Sequence, residues 1–160
     1  RKGQGANTEE AQKVFGDFLM IRHAIASDKI SCLRLLRESH EAAGFTSPFS
    51  AAHASALFDY HYASPQAGLL VLGDKPAGLL MAGWFEHPFG FGRYAKETVW
   101  WITPSVRGRW ASKMLDAYEA WAREQGCVAA GMASLATNDV SRLYKRRGYA
   151  PVETHFLKVL

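Results

Sequence analysis

Residues 100–112 constrain the fold of this chain more than any other stretch. Trp100-Trp101-Ile102-Thr103 reads as a strand that Pro104 closes. Beyond a turn at Arg107-Gly108, the residues Ala111, Met114, Leu115, Tyr118 and Ala122 recur at helical spacing up to Gly126. A strand that runs through a short turn into an amphipathic helix sets the unpaired N–H groups of the helix's first turn, and the positive end of its dipole, beside the strand's end. Such a junction favours an anion by about 0.3–1 kcal/mol at an exposed site, and more when partly buried. A pyrophosphate suits it.

Patterning along the rest of the chain supplies the sheet. Phe18–Ala24 reads as a first strand. Ser27 caps a helix with Ile30, Leu33, Leu36, His40 and Ala43 on one side, ended by Gly44. Ser47-Pro48 starts a second helix carrying Ala51, Ala54, Leu57, Phe58 and Tyr62. Gly68–Leu72 and Ala77–Phe85, joined by Gly73-Asp74-Lys75-Pro76, read as an antiparallel hairpin. Glu86–Arg93 reads as an aromatic loop, Glu97–Thr103 as a strand and Val128–Ser134 as a short buried strand. Asn138–Arg147 reads as a short helix, and Tyr149–Leu160 as a final strand, or strand pair, interrupted at Pro151. Local pairing early and helical crossovers later imply an α/β (α+β) fold: a mixed, mostly antiparallel central sheet with helices on both faces.

At 160 residues the chain has room for one ordinary domain, read here as residues 18–160 behind a polar N-terminal tail, 1–17, of native or vector origin. The excess of four positive charges favours an anionic ligand without selecting one. Two cysteines, Cys32 and Cys127, lie far apart and read as small core residues. With no long apolar span or signal segment, they point to a cytoplasmic protein that does not enter a membrane. His53 and His61 stand eight apart with no carboxylate or third histidine at ligand spacing, so no metal is expected.

At the junction, Ile102-Thr103-Pro104-Ser105-Val106-Arg107-Gly108 resembles the GNAT superfamily of acyl-CoA-dependent N-acyltransferases, and Leu143-Tyr144-Lys145-Arg146-Arg147-Gly148-Tyr149 resembles that family's later Leu-Tyr-x-x-x-Gly-Phe/Tyr. The similarity spans about Met20 to Leu160. The chain departs from the family's Arg/Gln-x-x-Gly-x-Gly/Ala pattern at Trp110, where glycine is expected, and at Ser112. Glycine there normally admits phosphate close to the backbone, although an indole turned away from the loop leaves the amides usable.

The resemblance implies acetyl-CoA as co-substrate and a primary amine as acceptor. It implies that Arg107 and the amides of Gly108, Arg109, Trp110, Ala111 and Ser112 meet the pyrophosphate. Backbone groups around Ile102 and Thr103 would hold the pantetheine arm, and Ser141 joins the same binding set. Tyr144 takes the place of the acid that protonates the departing sulfur, a transfer uphill by about 2 kcal/mol from a free phenol near ~10 to a thiol near ~8.5. An amine with a pKa near ~10.4 costs about 4.6 kcal/mol to deprotonate at pH 7, so a base is needed.

Glu97 is the candidate base. Alternation counted back from Pro104 puts Lys96 in that register, and a bulge would restore Glu97. Glu153, His155, Glu86 and His87 are fallback bases. Phe85, Phe89, Phe91, Tyr94, Trp100 and Trp101 read as core or as an acceptor pocket. Arg142, Lys145, Arg146 and Arg147 read as a solvated helix face or as a site for the 3′-phosphate or a nucleic acid. The rival reading is an altered member of the fold that binds or modifies nucleic acid or binds protein, favoured by Trp110 and the basic helix. A small-molecule or peptide amine is the preferred partner, ahead of nucleic acid, and a homodimer is frequent in the family.

Overall fold

The computed structural model describes residues 19–160, so the tail 1–17 and Phe18 lie outside the described residues. The order is β1 (Ile21–His23), α1 (Lys29–Ala43), α2 (Ala51–Ala63), β2 (Ala67–Leu72), β3 (Gly78–Glu86), β4 (Arg93–Ile102), α3 (Arg109–Glu124), β5 (Cys127–Gly131) and α4 (Ser141–Arg146). The five strands lie side by side in sequence order, antiparallel except for the parallel pair β4–β5. This is the mixed, mostly antiparallel sheet that the patterning implies.

Both faces are covered. Leu70, Leu72, Leu80, Ala82, Ala95 and Ile102 pack on the stripe Trp110, Met114, Tyr118, Trp121 and Ala122 of α3. Leu69, Val71, Leu79 and Met81 pack on Cys32, Leu35 and Leu36 of α1 and on Ala54 and Phe58 of α2. Being buried on both sides, β2 and β3 are continuous apolar runs rather than alternating ones, and each buried Leu or Phe contributes about 1.5–3 kcal/mol. Gly68 has to be glycine: a Cβ there would lie 2.6 Å from Cε2 of Trp121. At the β1 edge of the sheet Asp28, buried at 4% exposure, accepts from Arg22 at 2.7 and 3.0 Å and from the Ile25 N–H at 2.9 Å, tying β1 to the start of α1.

Six expectations are corrected. Ser27 lies inside a 3-10 turn, Ala26–Asp28, and Asp28 holds the cap position of α1. The strand expected at Val128–Ser134 is Cys127–Gly131, with Val128 exposed. Ser50, not Ser47, caps α2, with its hydroxyl accepting from the His53 N–H; the residue before Pro48 is pushed out of helical backbone. Strand β4 begins at Arg93 rather than Glu97, leaving only His87–Gly92 as the hairpin tip, where the His87 N–H donates to Gly92 O. Helix α4 begins at Ser141 rather than Asn138, because Asp139 Oδ1 accepts from the Ser141 N–H and the Ser134 hydroxyl, holding 134–140 as a turn. The final strand does not form: the described residues beyond α4 make no strand, and those from Pro151 onward are exposed. The Tyr149 N–H is spent on Tyr144 O, and Pro151 has no N–H to offer a ladder.

Candidate active site

Strand β4 is held on its outer side for only part of its length. Pairing with β5 runs from Arg93–Cys127 to Lys96–Gly131 and stops, so Glu97–Ile102 present an open edge. The cause is a bulge. Val99 lies opposite Met81 and Glu97 opposite Ala82, which leaves Thr98 as an extra residue with no partner on β3. An extra residue bends its strand and increases its twist, and the bent half of β4 parts from β5.

The bulge also decides which side chain faces the cleft. Val99 and Trp101 pack toward α1 and α2, whereas Trp100, Ile102 and, before the bulge, Ala95 pack toward α3. Two-residue counting would put Lys96 on the α3 side; the extra residue puts Glu97 there. Glu97 Oε1 accepts from the Ala133 N–H at 2.9 Å, and the Ala133 carbonyl accepts from the Tyr144 hydroxyl at 2.8 Å. The two candidate catalytic side chains therefore meet at one residue, Ala133, just past β5, one on its N–H and the other on its carbonyl.

Burial drives the electrostatics. It raises the Glu97 carboxyl above its ordinary range, against the opposing pull of the Ala133 N–H and Lys96. Burial, then the nearby Glu97 and Tyr149, pushes the Tyr144 phenol up, so it stays protonated at neutral pH. Tyr118, whose hydroxyl donates to Gly131 O at 2.9 Å, is raised for the same leading reason.

At the end of β4 the Thr103 N–H donates to Ala77 O at 2.9 Å, toward β3. Alternation then turns the main-chain groups of Ile102 and Trp100 to the open edge, where Ile102 O accepts from Arg107 Nε at 2.8 Å. The expectation that Thr103 shares in holding an arm along this edge is corrected: its N–H is spent on β3 and its hydroxyl donates to Glu38 at 3.2 Å. Glu38 also accepts from Trp101 Nε1 at 3.0 Å and pairs with Arg34, clamping α1 to the strand's end. The Arg107 guanidinium lies over the Trp101 ring, 4.6 Å from its centroid, at the mouth of the cleft.

Gly108 stands at φ 57, ψ −125 before α3, and no described side chain caps that helix. Trp110 is 9% exposed and belongs to the α3 core. Its indole lies beneath the helix, with Arg109 and Lys113 over it at 5.2 and 5.6 Å, rather than over the turn, where the Trp110 and Ala111 N–H groups donate to Arg107 O and Gly108 O, each at 3.2 Å. Ser141 sits at the start of α4 in the Ser134–Asp139 turn.

The remaining candidates fall elsewhere. Glu86 pairs with Arg93, and His87 lies 4.8 Å from the Tyr94 ring, at the start of β4, where Arg93 also donates to Gln125 O at the C-terminal end of α3. Glu153 and His155 pair with each other at 2.9 Å on the exposed C-terminal stretch. Of the basic cluster, Arg147 is neutralised by Asp116 and Glu119. Phe89 and Phe91 are fully exposed at the hairpin tip, whereas Trp100 packs against Tyr144 at 6.1 Å. Sequence reading missed Ala133, Thr98 and Glu38; none carries a motif, and only the failed alternation before Pro104 pointed at Thr98.

A five-stranded mixed sheet splayed between β4 and β5, with helices on both faces and the start of a helix at the mouth of the opening, is the acyl-CoA N-acyltransferase fold. The chain belongs to the Acetyltransferase (GNAT) family, whose profile matches residues 31–149. No curated protein matches it in sequence. Among solved structures it is similar to a predicted acetyltransferase with acetyl-CoA from Clostridium acetobutylicum (TM-score 0.73, 15% identity, 89% of this chain and 96% of that one). It is also similar to a GNAT family acetyltransferase from Staphylococcus aureus (0.67, 18%, 89% and 98%). A third is an aminoglycoside acetyltransferase from an uncultured soil metagenomic sample in complex with sisomicin (0.67, 18%, 90% and 97%). Among the described residues no helix is long and apolar enough to cross a membrane.

Proposed function

We propose that the protein moves an acetyl group from acetyl-CoA to a primary amine by direct attack. The observation that carries this reading is the convergence of Glu97 and Tyr144 on Ala133 beside the open edge of β4. Arg107 and the first-turn amides of α3 are the groups suited to the pyrophosphate, and the Ile102 and Trp100 main chain to the pantetheine arm. The amine nitrogen bonds to the acyl carbon as the carbon–sulfur bond breaks. Glu97, made more basic by burial, takes the proton from nitrogen; an N–H on the open edge stabilises the developing oxyanion; Tyr144 donates to sulfur. The desolvation that raises the phenol also raises a thiolate leaving group, so the two remain comparable.

A small-molecule amine is the favoured acceptor class, in line with the neighbour named an aminoglycoside acetyltransferase. The interaction-module reading rested on Trp110 and the basic helix. With Trp110 in the core, that residue gives it no support, and of the basic helix Arg147 is paired with Asp116 and Glu119. Acetyl-CoA at a hundredfold over its dissociation constant should stabilise the fold by about 2.7 kcal/mol, raising the melting temperature by roughly 5–10 °C for a domain of this size. Thiol release should then depend on an added amine. No melting shift with millimolar acetyl-CoA would overturn the reading.

A further inference from the structure

The buried histidine of α2 has no part in the chemistry above. His61 is 4% exposed, and both of its ring nitrogens are engaged. Nδ1 lies 2.9 Å from the Leu57 carbonyl, which can only accept, so the proton sits on Nδ1. Nε2 is then an acceptor, and the Thr98 hydroxyl, 2.8 Å away, donates to it. Thr98 is the extra residue of β4. An extra residue has no place in the ladder, and a strand of period two can absorb it by slipping one position, which exchanges the two faces. Here such a slip would bring Lys96 to the cleft in place of Glu97.

We propose that His61 is a positioning residue for Glu97: by accepting the Thr98 hydroxyl from α2 it fixes the bulge that turns Glu97 into the cleft. The proposal rests on the acetyl-transfer reading for what Glu97 does there, and on geometry alone for how Glu97 is placed. Helix α2 is a firm anchor, since Ala54 and Phe58 set it into the core against β2 and β3. Burial lowers the His61 pKa and so keeps the ring in the neutral, accepting form. Around His61 lie the ring of Tyr60, edge-on at 5.2 Å, and, along a small cavity, Tyr62, His23 and Trp121. Facing Glu97 are Ala133, Tyr118 and Tyr144, with Lys96 beside it on the strand.

The test replaces Thr98 by valine, which keeps the shape and loses the donor, and by serine, which keeps the donor. Two readouts need no turnover: the carbon-13 titration of the Glu97 carboxyl and the exchange protection of the Ala133 amide. Thr98→Val is expected to move the Glu97 midpoint down toward an ordinary carboxylate and to speed Ala133 exchange at least tenfold. It is also expected to lower kcat at least tenfold while KM for acetyl-CoA stays within twofold. Thr98→Ser restores the midpoint, the exchange protection and kcat. His61→Phe, which fills the same space without the acceptor, reproduces the valine phenotype. A folded Thr98→Val or His61→Phe protein with native Glu97 titration and native Ala133 protection overturns the proposal. If the parent protein releases no thiol with any amine, the acetyl-transfer reading fails instead, and the two titration and exchange readouts still decide how Glu97 is held.

Discussion

Glu97 holds a charge where burial works against it, and this trade is visible in two opposite measurements. Its carboxyl is raised in the fold by desolvation, so the group's contribution to stability is complete below its unfolded pKa and is lost as pH rises through the folded value. Glu97→Gln is therefore expected to melt higher than the parent at pH 7 while losing about 10²–10⁴-fold in kcat, as removal of a general base does. A variant that loses both stability and turnover contradicts this account. Activity of the parent should rise with pH through a midpoint above the ordinary carboxylate range. Tyr144→Phe deletes the hydroxyl that donates to Ala133 O; kcat should fall about 10²-fold or more with little change in KM for acetyl-CoA, and full turnover would remove the acid role. Tyr144 was legible in sequence because a motif carries it. Glu97 was legible only as one of two neighbours, because a bulge cannot be seen in alternating residues until its partner strand is known.

At the scale of the element, α3 shows why an altered motif need not alter a site. What the turn requires is Gly108, whose φ 57 and ψ −125 are open to glycine almost alone. A Cβ there would touch nothing within 4 Å. Gly108→Ala should therefore cost about 1–3 kcal/mol through backbone strain rather than collision, read as a fall in melting temperature, together with weaker acetyl-CoA binding. The helix α3 was legible because an amphipathic stripe is a local signal, and Met114, Leu115, Tyr118 and Ala122 are buried as their spacing implies; α1 and α2 form where expected, but α1 buries Cys32, Leu35 and Leu36 and leaves Ile30 exposed, and α2 buries His61 and leaves Tyr62 exposed. Element ends were not. The starts of α2 and α4 depend on which of two nearby hydroxyls or carboxylates folds back on the chain. Tyr149–Leu160 has strand-like residues but meets no partner in the fold, and residue type alone cannot report that.

At the scale of the whole molecule, the sheet is sealed on both faces and opens at one corner. The mixed topology was legible because hairpin turns and helical crossovers each dictate the direction of the next strand; the splay was not, because it follows from one residue's lack of a partner. Away from that corner, the Arg22–Asp28 pair supports the far edge. Hydrogen bonding from Arg22 holds the Asp28 carboxyl below its ordinary range, so its contribution is present above the unfolded carboxylate pKa and is lost as pH falls through the folded one. Asp28→Asn should destabilise by about 2 kcal/mol at pH 7, and the gap from the parent should narrow in acid melts; a gap that stays constant down to pH 3 would contradict it. The unpartnered Thr98 has a wider meaning. Remove that position and every β3–β4 pair keeps the mate it already has, so the ribbon would straighten and its outer margin could zip against β5 to the end. The difference between an inert sandwich and a reactive one amounts here to a single surplus amino acid, a step that one insertion can take.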